Sequence, residues 1–449
     1  MRGCGIKATA IFFHKFDGYL KVGYYSSVKE NCYICIDLKS FYASVECVER
    51  GLDPMTTDLV VADPERGDKT ICLAVSPSLK AKGVKNRCRV FEIPPHIKYI
   101  KATPRMQKYI DYAAEIYGIY LRYLSPEDIY VYSIDEAFLD CTTYLDLYGK
   151  TPREMAVFLM DRISEEVGVR ATAGIGTNLY LAKIALDITA KHSPDFIGIL
   201  DEDAFRAQLW SHRPLTDFWR IGRGTEARLE RFGLFTMGQI AHAPEELLYK
   251  EFGIDAELMI DHAWGRESTT MKDIQAYRPK NNSISSGQVM MRDYYYPEAL
   301  IVAKEMAVDC ALQLTAKRKA STTLGFGVVM ASRSGGGLRS MSYSFSHPTQ
   351  SDLEIRDAIA KIFSALVKTD EYVRRFMVSL SGLVEEDAPR QLDLFLDDEE
   401  SRKRERIQKA VLSIKGSFGK NAILKGMDYE EGATQRERNS QIGGHKSGS

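Results

Sequence analysis

Asp135 and Glu136 stand side by side in Tyr132-Ser133-Ile134-Asp135-Glu136-Ala137-Phe138-Leu139-Asp140, with apolar Ile134 and Phe138 on either side. Adjacent side chains on a strand face opposite ways, so a turn or bulge has to bring both carboxylates to one site. Alone, the pair also fits a hairpin turn with solvated acids. Upstream, the apolar strand Tyr33-Ile34-Cys35-Ile36 ends on a single acid, Asp37, and a helix-like run through Ser40, Phe41, Tyr42, Val45 and Glu46 follows directly. Two strands ending in carboxylates can hold two divalent cations about 3.5–4 Å apart, as phosphoryl transfer requires. A third segment, residues 171–183, reads as a strand, a Gly174-Ile175-Gly176 turn and a helix. Its glycines permit close backbone approach, and a helix N-terminus favours an anion. Lys183, two turns into that helix, can reach back toward phosphates. Tight helix–strand packing would need the same glycines; the two carboxylate segments favour triphosphate binding.

The elements that must position these residues alternate short apolar strands with helical stretches from residue 32 to about 200, an α/β or α+β pattern. Strands are expected at 32–37, 58–62, 70–75, 129–134, 137–141 and 169–175, and helices at 39–50, 105–124, 152–167 and 178–191. From Arg213 to about Gly265 the chain becomes helical with short glycine breaks, and residues 269–283 are a polar tether. A second unit follows, with strands at 284–291, 322–331, 339–345 and 375–384 and helices at 297–319 and 351–368. Beyond Glu385 the period is lost and charge dominates. A short helix near 400–413 is expected there, and the Gly/Ser/Lys-rich ending reads as disordered. Residues 1–30 carry no caps or clear period and read as a loose N-terminal extension.

A length of 449 residues predicts several domains at about 100–200 residues each. With 45% hydrophobic and 27% charged residues, the composition is that of a soluble globular protein. No stretch approaches the roughly 18 apolar residues of a membrane span, and Ile6 to Phe13 is too short and lacks a cleavage site for export. The eight cysteines contain one CxxC, Cys32 and Cys35, inside an apolar strand with no second pair. Buried free thiols in a reducing cytoplasm fit better than a zinc or redox site. The net charge of −1 hides asymmetry: between 276 and 345 there are nine Lys/Arg against four Asp/Glu, a basic surface suited to a phosphate backbone. Solvated helix charge explains Lys317-Arg318-Lys319 as readily.

Asp37-x-x-x-Phe41-Tyr42-Ala43-Ser44-Val45-Glu46, Ser133-Ile134-Asp135-Glu136-Ala137-Phe138, and Gly174-Ile175-Gly176-Thr177-Asn178 with Ala182-Lys183 resemble the three signature motifs of Y-family translesion DNA polymerases, in that family's order and spacing. The UmuC-like SOS mutagenesis branch of bacteria is the nearest resemblance, over roughly residues 31–395. It implies an α+β multidomain fold. A ferredoxin-like palm (31–210) with small fingers inserted at about 46–105 and a helical thumb (211–268) would form a right hand. An α/β little finger (284–385) and a tail (386–449) would follow.

The resemblance also assigns roles. Asp37, Asp135 and Glu136 would be the catalytic, metal-binding acids of a two-Mg²⁺ centre, with the Leu38 carbonyl also on a metal. Phe41 and Tyr42 would lie under the incoming sugar, with Tyr42 as the steric gate; a core aromatic on an amphipathic helix is the plainer reading of Tyr42. Lys80 and Lys183 would contact the triphosphate. Pro77 stands where relatives often carry a phosphate-binding tyrosine and offers neither hydroxyl nor backbone N–H. Gly222 and Gly224 resemble the turn of a helix-hairpin-helix, whose amides bind a DNA phosphate without reading sequence, although any tight αα turn uses glycine. Gln391-Leu392-Asp393-Leu394-Phe395 resembles the bacterial sliding-clamp-binding peptide, with Gln391, Leu392, Leu394 and Phe395 as its contacts; a short core strand is the alternative.

The function implied is low-fidelity, template-dependent DNA synthesis past damaged bases in the SOS response. The partners would be primer–template DNA, dNTPs, the sliding clamp and SOS accessory proteins, in the cytoplasm. A catalytically impaired DNA-binding accessory protein of the repair machinery is the alternative, and all three acids being present argues against it. A nucleotidyl cyclase shares paired acids but needs neither hairpin nor clamp peptide.

Overall fold

The structure is a computed structural model that describes residues 31–279, 282–387 and 398–448. The chain divides into two compact units, one of residues up to Asp37, Tyr120–Asp161 and Ala171–Met271, the other of Leu38–Ile119, Arg162–Arg170 and the chain from Lys272 on.

In chain order the first elements are β1 (Tyr33–Leu38), α1 (Phe41–Val48), β2 (Leu59–Val61), β3 (Ala74–Val75), α2 (Pro77–Ala81), β4 (Ile100–Ala102) and α3 (Met106–Leu121). There follow β5 (Ile129–Val131), β6 (Glu136–Asp140), α4 (Tyr144–Tyr148), α5 (Pro152–Val167), β7 (Ala171–Gly176), α6 (Leu179–Ile184) and β8 (Ile197–Leu200). The first unit is built on a five-stranded sheet of order β5-β6-β1-β7-β8. Its interior strands are continuous apolar runs because both faces are covered: every residue of β7 is buried. α6 runs on into one π-helical turn, Ala185–Thr189, directly against β7.

The same unit continues through α7 (Glu202–Leu209), α8 (Arg223–Glu230), α9 (Met237–Ala241), α10 (Glu245–Phe252) and α11 (Asp255–Ala263). These short helices close around Phe205, Phe218, Leu229, Ile240 and Leu248. The stretch expected to be a tether carries a short helix, α12 (Met271–Ala276).

In the second unit β2, β3 and β4 form a small sheet over a core of Val60, Cys72, Val75 and Leu79. Farther on, β9 (Ile284–Tyr295), α13 (Tyr296–Ala316), β10 (Lys319–Met330), β11 (Leu338–Thr349), α14 (Asp352–Leu366) and β12 (Tyr372–Glu385) build an antiparallel sheet of order β11-β10-β12-β9. α13 and α14 cover one face through Val302, Met306, Ile359 and Phe363. The other face is lined with Ser285, Gly287, Gly325, Gly327, Ser340, Ser342 and Ser379 around a shallow concavity of about 910 Å³.

The ending is ordered, contrary to the expectation from composition. After α15 (Asp398–Phe418), which covers the helix expected near 400–413, it forms α16 (Gln435–Asn439) and a hairpin of β13 (Gln441–Ile442) and β14 (His445–Lys446). The physical reason is docking: buried polar residues such as Gln408, Thr434 and Gln435 find partners on other elements, which no local period announces. No helix among the described residues is long and apolar enough to cross a membrane.

Candidate active site

β1 and β6 pair antiparallel in the register Tyr33↔Asp140 to Asp37↔Glu136, so the acid near the end of β1 lies opposite the acid that begins β6. Asp135 precedes β6 in the turn after β5. There the Tyr132 and Ser133 amides donate to the Glu136 carbonyl (2.9 and 3.1 Å), and the Ser133 hydroxyl donates to the Asp135 carboxylate (2.6 Å). That turn solves the alternation problem: Glu136 belongs to the pleat, Asp135 to the loop, and both reach one end of the sheet.

Burial first, then the neighbouring Asp135 and Glu136 charges, push the Asp37 carboxyl up to about 7. Glu136 is also raised, by burial, against the pull of Lys183. Lys183 on α6 lies 2.8 Å from Glu136 and 3.0 Å from Asp187. Burial opposes its charge, but Asp187 and Glu136 more than offset it and hold the ammonium charged. Cys35 donates its thiol proton to Glu136 at 3.2 Å, and burial, then Glu136, pushes that thiol well up. The strand cysteine is thus a reduced buttress of the acid cluster; all seven described cysteines are free and buried.

The glycines of the third motif serve packing. β7 runs through both Gly174 and Gly176, and a Cβ on either would overlap the backbone of Ala182 in α6. They let α6 lie close enough for Lys183 to reach Glu136. No glycine turn exists there to cradle a phosphate. α6 is capped instead by the Asn178 side chain, which accepts from Leu181 N (2.8 Å).

Among the described residues no three His, Cys, Asp or Glu side chains form a ready-made metal cage. Mg²⁺ does not require one, because it usually takes one or two carboxylates and completes its shell with water and substrate phosphate. Asp37 and Asp135 fit that donor chemistry, and the repulsion from Asp135 and Glu136 that adds to burial in raising Asp37 is what a cation relieves. The Leu38 carbonyl follows Asp37 on β1.

In the second unit Phe41 and Tyr42 open α1, with Phe41 buried and Tyr42 partly exposed. Tyr42 stacks on Tyr109 of α3, ring centroids 4.5 Å apart and 15° between planes. The Tyr109 hydroxyl donates to Glu46 (2.8 Å), a carboxylate with no exposure that Arg105 grips through both oxygens (2.9 and 3.0 Å) and Arg50 also binds. Sequence reading missed this platform. Its one signal was a charged Glu46 among Phe41, Ala43, Val45 and Cys47, the buried apolar residues of α1.

Lys80 is exposed on α2. Pro77 is the first residue of that helix, where a missing N–H costs nothing, behind a Ser76 cap. Gly222 and Gly224 begin α8 on open surface, and a Cβ at either would meet nothing within 4 Å. The structure therefore gathers Asp37, Asp135, Glu136 and Lys183 in the first unit, and Phe41 and Tyr42 on a platform in the second. Gln391, Leu392, Leu394 and Phe395 lie outside the described residues.

The basic surface expected over 276–345 is neutralised in part. Arg292 pairs with Glu298, Arg318 with Glu386, Lys319 with Glu385, Arg333 with Asp293 and Arg339 with Glu371. Glu371, Glu385 and Glu386 lie beyond residue 345, so a charge count within that window could not see them.

The impB/mucB/samB family model matches residues 36–187, and the model of that family's C-terminal domain matches 281–394. The "Putative UV-damage repair protein UvrX" of Bacillus subtilis (strain 168) is 33% identical over 427 residues, covering 94% of this chain and 99% of the relative. "DNA polymerase IV 2" of the same organism is 31% identical, covering 93% and 99%. A solved "Y-family DNA polymerase chimera Dbh-Dpo4(243-245)-Dbh" shares the fold with a TM-score of 0.62 at 19% identity, over 79% of this chain and 99% of that one. With near-full-length relatives above 30% identity and the acids of the first two motifs at one end of a single sheet, the chain belongs to the impB/mucB/samB family of Y-family DNA polymerases.

Proposed function

We propose that the protein is a template-dependent DNA polymerase that extends primers past damaged bases within the SOS response. The observation that carries the reading is Asp37 opposite Glu136 in strand register with Asp135 in the adjoining turn. Asp37, the Leu38 carbonyl, Asp135 and Glu136 would hold two Mg²⁺ ions, which when bound supply in-line alignment and charge neutralisation for nucleotidyl transfer. Lys183, kept charged by Glu136 and Asp187, would exchange a carboxylate contact for the triphosphate, and Lys80 would add a second cation. Phe41 and Tyr42 would floor the sugar site.

Residues 31–210 would act as palm with fingers inserted at about 46–105, 211–268 as thumb and 284–385 as little finger, the last two gripping the duplex. Gly222 and Gly224 lie on open surface at the start of α8, and the serine- and glycine-lined face of the β11-β10-β12-β9 sheet offers hydroxyls and close backbone approach to phosphates. Gln391-Leu392-Asp393-Leu394-Phe395 would anchor the sliding clamp.

Primer extension on a gapped template with Mg²⁺ and single dNTPs tests the reading; incorporation that ignores the template base, or none, overturns it. Tyr42→Ala should lower the dCTP-over-CTP preference opposite template dG by about tenfold or more, since a wall that rejects one oxygen acts by clash. An unchanged kcat/KM ratio would leave Tyr42 a packing residue. Leu394→Ala with Phe395→Ala should weaken clamp binding by ~2 kcal/mol or more, the scale of a lost apolar anchor. Short-primer synthesis should stay intact, and equal clamp affinity by titration would remove the peptide as anchor.

A further inference from the structure

The chain's last elements reach back to the platform behind Tyr42. Thr434 and Gln435, at the start of α16, dock on Glu305 of α13. Its nearly inaccessible carboxylate accepts from Thr434 N (2.9 Å), Thr434 Oγ1 (3.0 Å) and Gln435 N (3.1 Å). Asp309, one turn on, accepts from Arg438 (2.7 Å) and Gln435 (3.1 Å). The chain then folds into the β13–β14 hairpin around Gly443-Gly444, both at positive φ, as a tight two-residue hairpin requires.

The hairpin is held at the segment that follows β2. Lys446 pairs with Glu65 (2.5 Å), and Arg66 donates to the Gly444 carbonyl (2.7 Å). Next along the chain, the Ser447 carbonyl accepts from the Gln107 amide (2.9 Å). Gly448 presses on Arg105 so closely that a Cβ there would come within 2.6 Å of the Arg105 Cα.

Gln107 is the second residue of α3, and its amide is one of the donors a helix start cannot satisfy internally. A side-chain cap normally comes from the residue just before the helix. Here that residue is Arg105, whose guanidinium has no acceptor and is committed to Glu46. The acceptor therefore comes from Ser447. Two residues farther along α3 sits Tyr109, stacked on Tyr42.

We propose that residues 434–448 form a strap, anchored on α13, that caps α3 and so holds Tyr109 beneath Tyr42, making the strap a positioning element for sugar selection. The proposal rests on the reading that Tyr42 meets the incoming sugar.

Two full-length variants detach the strap, the first at the hairpin, away from the platform, and the second where the strap meets Arg105. Lys446→Glu sets like charges against Glu65 and Asp63. Gly448→Val places a β-branched residue at φ +73° against Arg105. Hydrogen exchange at the Gln107 amide should quicken in both. The dCTP-over-CTP ratio of kcat/KM should fall by about fivefold, the factor typical of one lost cap, mostly through CTP. Lys446→Arg should restore both readouts.

If the Gln107 amide stays protected in both variants, the strap does not cap α3 and the proposal is overturned. If it becomes exposed while the ratio keeps its wild-type value and Tyr42→Ala changes it, the coupling to sugar selection is overturned. Cooperative loss of the whole fold in both would overturn it as well, by making the segment part of the core. If Tyr42→Ala itself leaves the ratio unchanged, the gate assignment fails instead, and Gln107 exchange still reports on the cap.

Discussion

Asp135→Asn is expected to leave the protein folded and able to bind primer–template while nucleotide incorporation falls by about 10³-fold or more, the upper range for losing one electrostatic group at a reacting centre. The substitution conserves shape. Asp135 sits partly exposed in the turn, and its carboxylate accepts from the Ser133 hydroxyl two residues away, so little of the fold depends on its charge. Rapid-quench single-turnover kinetics in Mg²⁺ measures the loss, and rates within tenfold of wild type would remove Asp135 from the reacting centre.

Asp37→Asn should be equally inactive and, in metal-free buffer, more stable than wild type. Burial, then Asp135 and Glu136, raise the Asp37 carboxyl from 3.8 to about 7. A folded value raised in this way means that the stability carried by the protonated group is fully present below pH 3.8 and is lost as pH rises through about 7. The variant's advantage should therefore be small at pH 4 and full at pH 8, a Tm gain of roughly 3–8 °C. Adding Mg²⁺ should raise the wild-type Tm and narrow the gap. No Tm difference at pH 8 without metal would mean that the acids are not in conflict.

Glu46→Ala is expected to cost roughly 3 kcal/mol of stability, because removing one member of a buried ion pair strands its partners. Glu46 has no exposure and takes hydrogen bonds from Arg105, Arg50 and Tyr109. Burial pushes its carboxyl up, but those three donors outweigh it, and the net value lies below the usual 4.5. A depressed folded value gives stability that is present above pH 4.5 and fades as pH falls below it. Denaturant titration of wild type against Glu46→Gln should thus show the larger gap at pH 7 and a shrinking one in acid. Equal midpoints at pH 7 would show that the cluster contributes nothing to stability.

The strands of the acid cluster were legible because a buried strand carries a short unbroken apolar stretch, as residues 33–36 of β1 and 137–139 of β6 do. Helix α5 matches its expected span of 152–167, where Pro152 opens the helix and Gly168 follows its end at positive φ. Local chemistry also placed Asp37, Asp135 and Glu136 at strand ends. It misjudged Gly174 and Gly176, since a glycine that admits a neighbouring helix and one that admits a phosphate look the same in one dimension.

By itself the sequence determined the element order, the three acids and the family motifs, all of which depend on neighbours a few residues apart. Only the tertiary structure decided which carboxylate each cation meets: Lys183 turns to Glu136, Arg339 to Glu371, and Arg105 to Glu46. It alone decided that Cys35 supports an acid, that Tyr109 lies under Tyr42, and that a polar ending docks and caps a helix 340 positions away. Those outcomes turn on pairings between distant segments. A buried charge or an uncapped amide takes whichever partner the fold brings within about 3 Å, and composition carries no record of that partner.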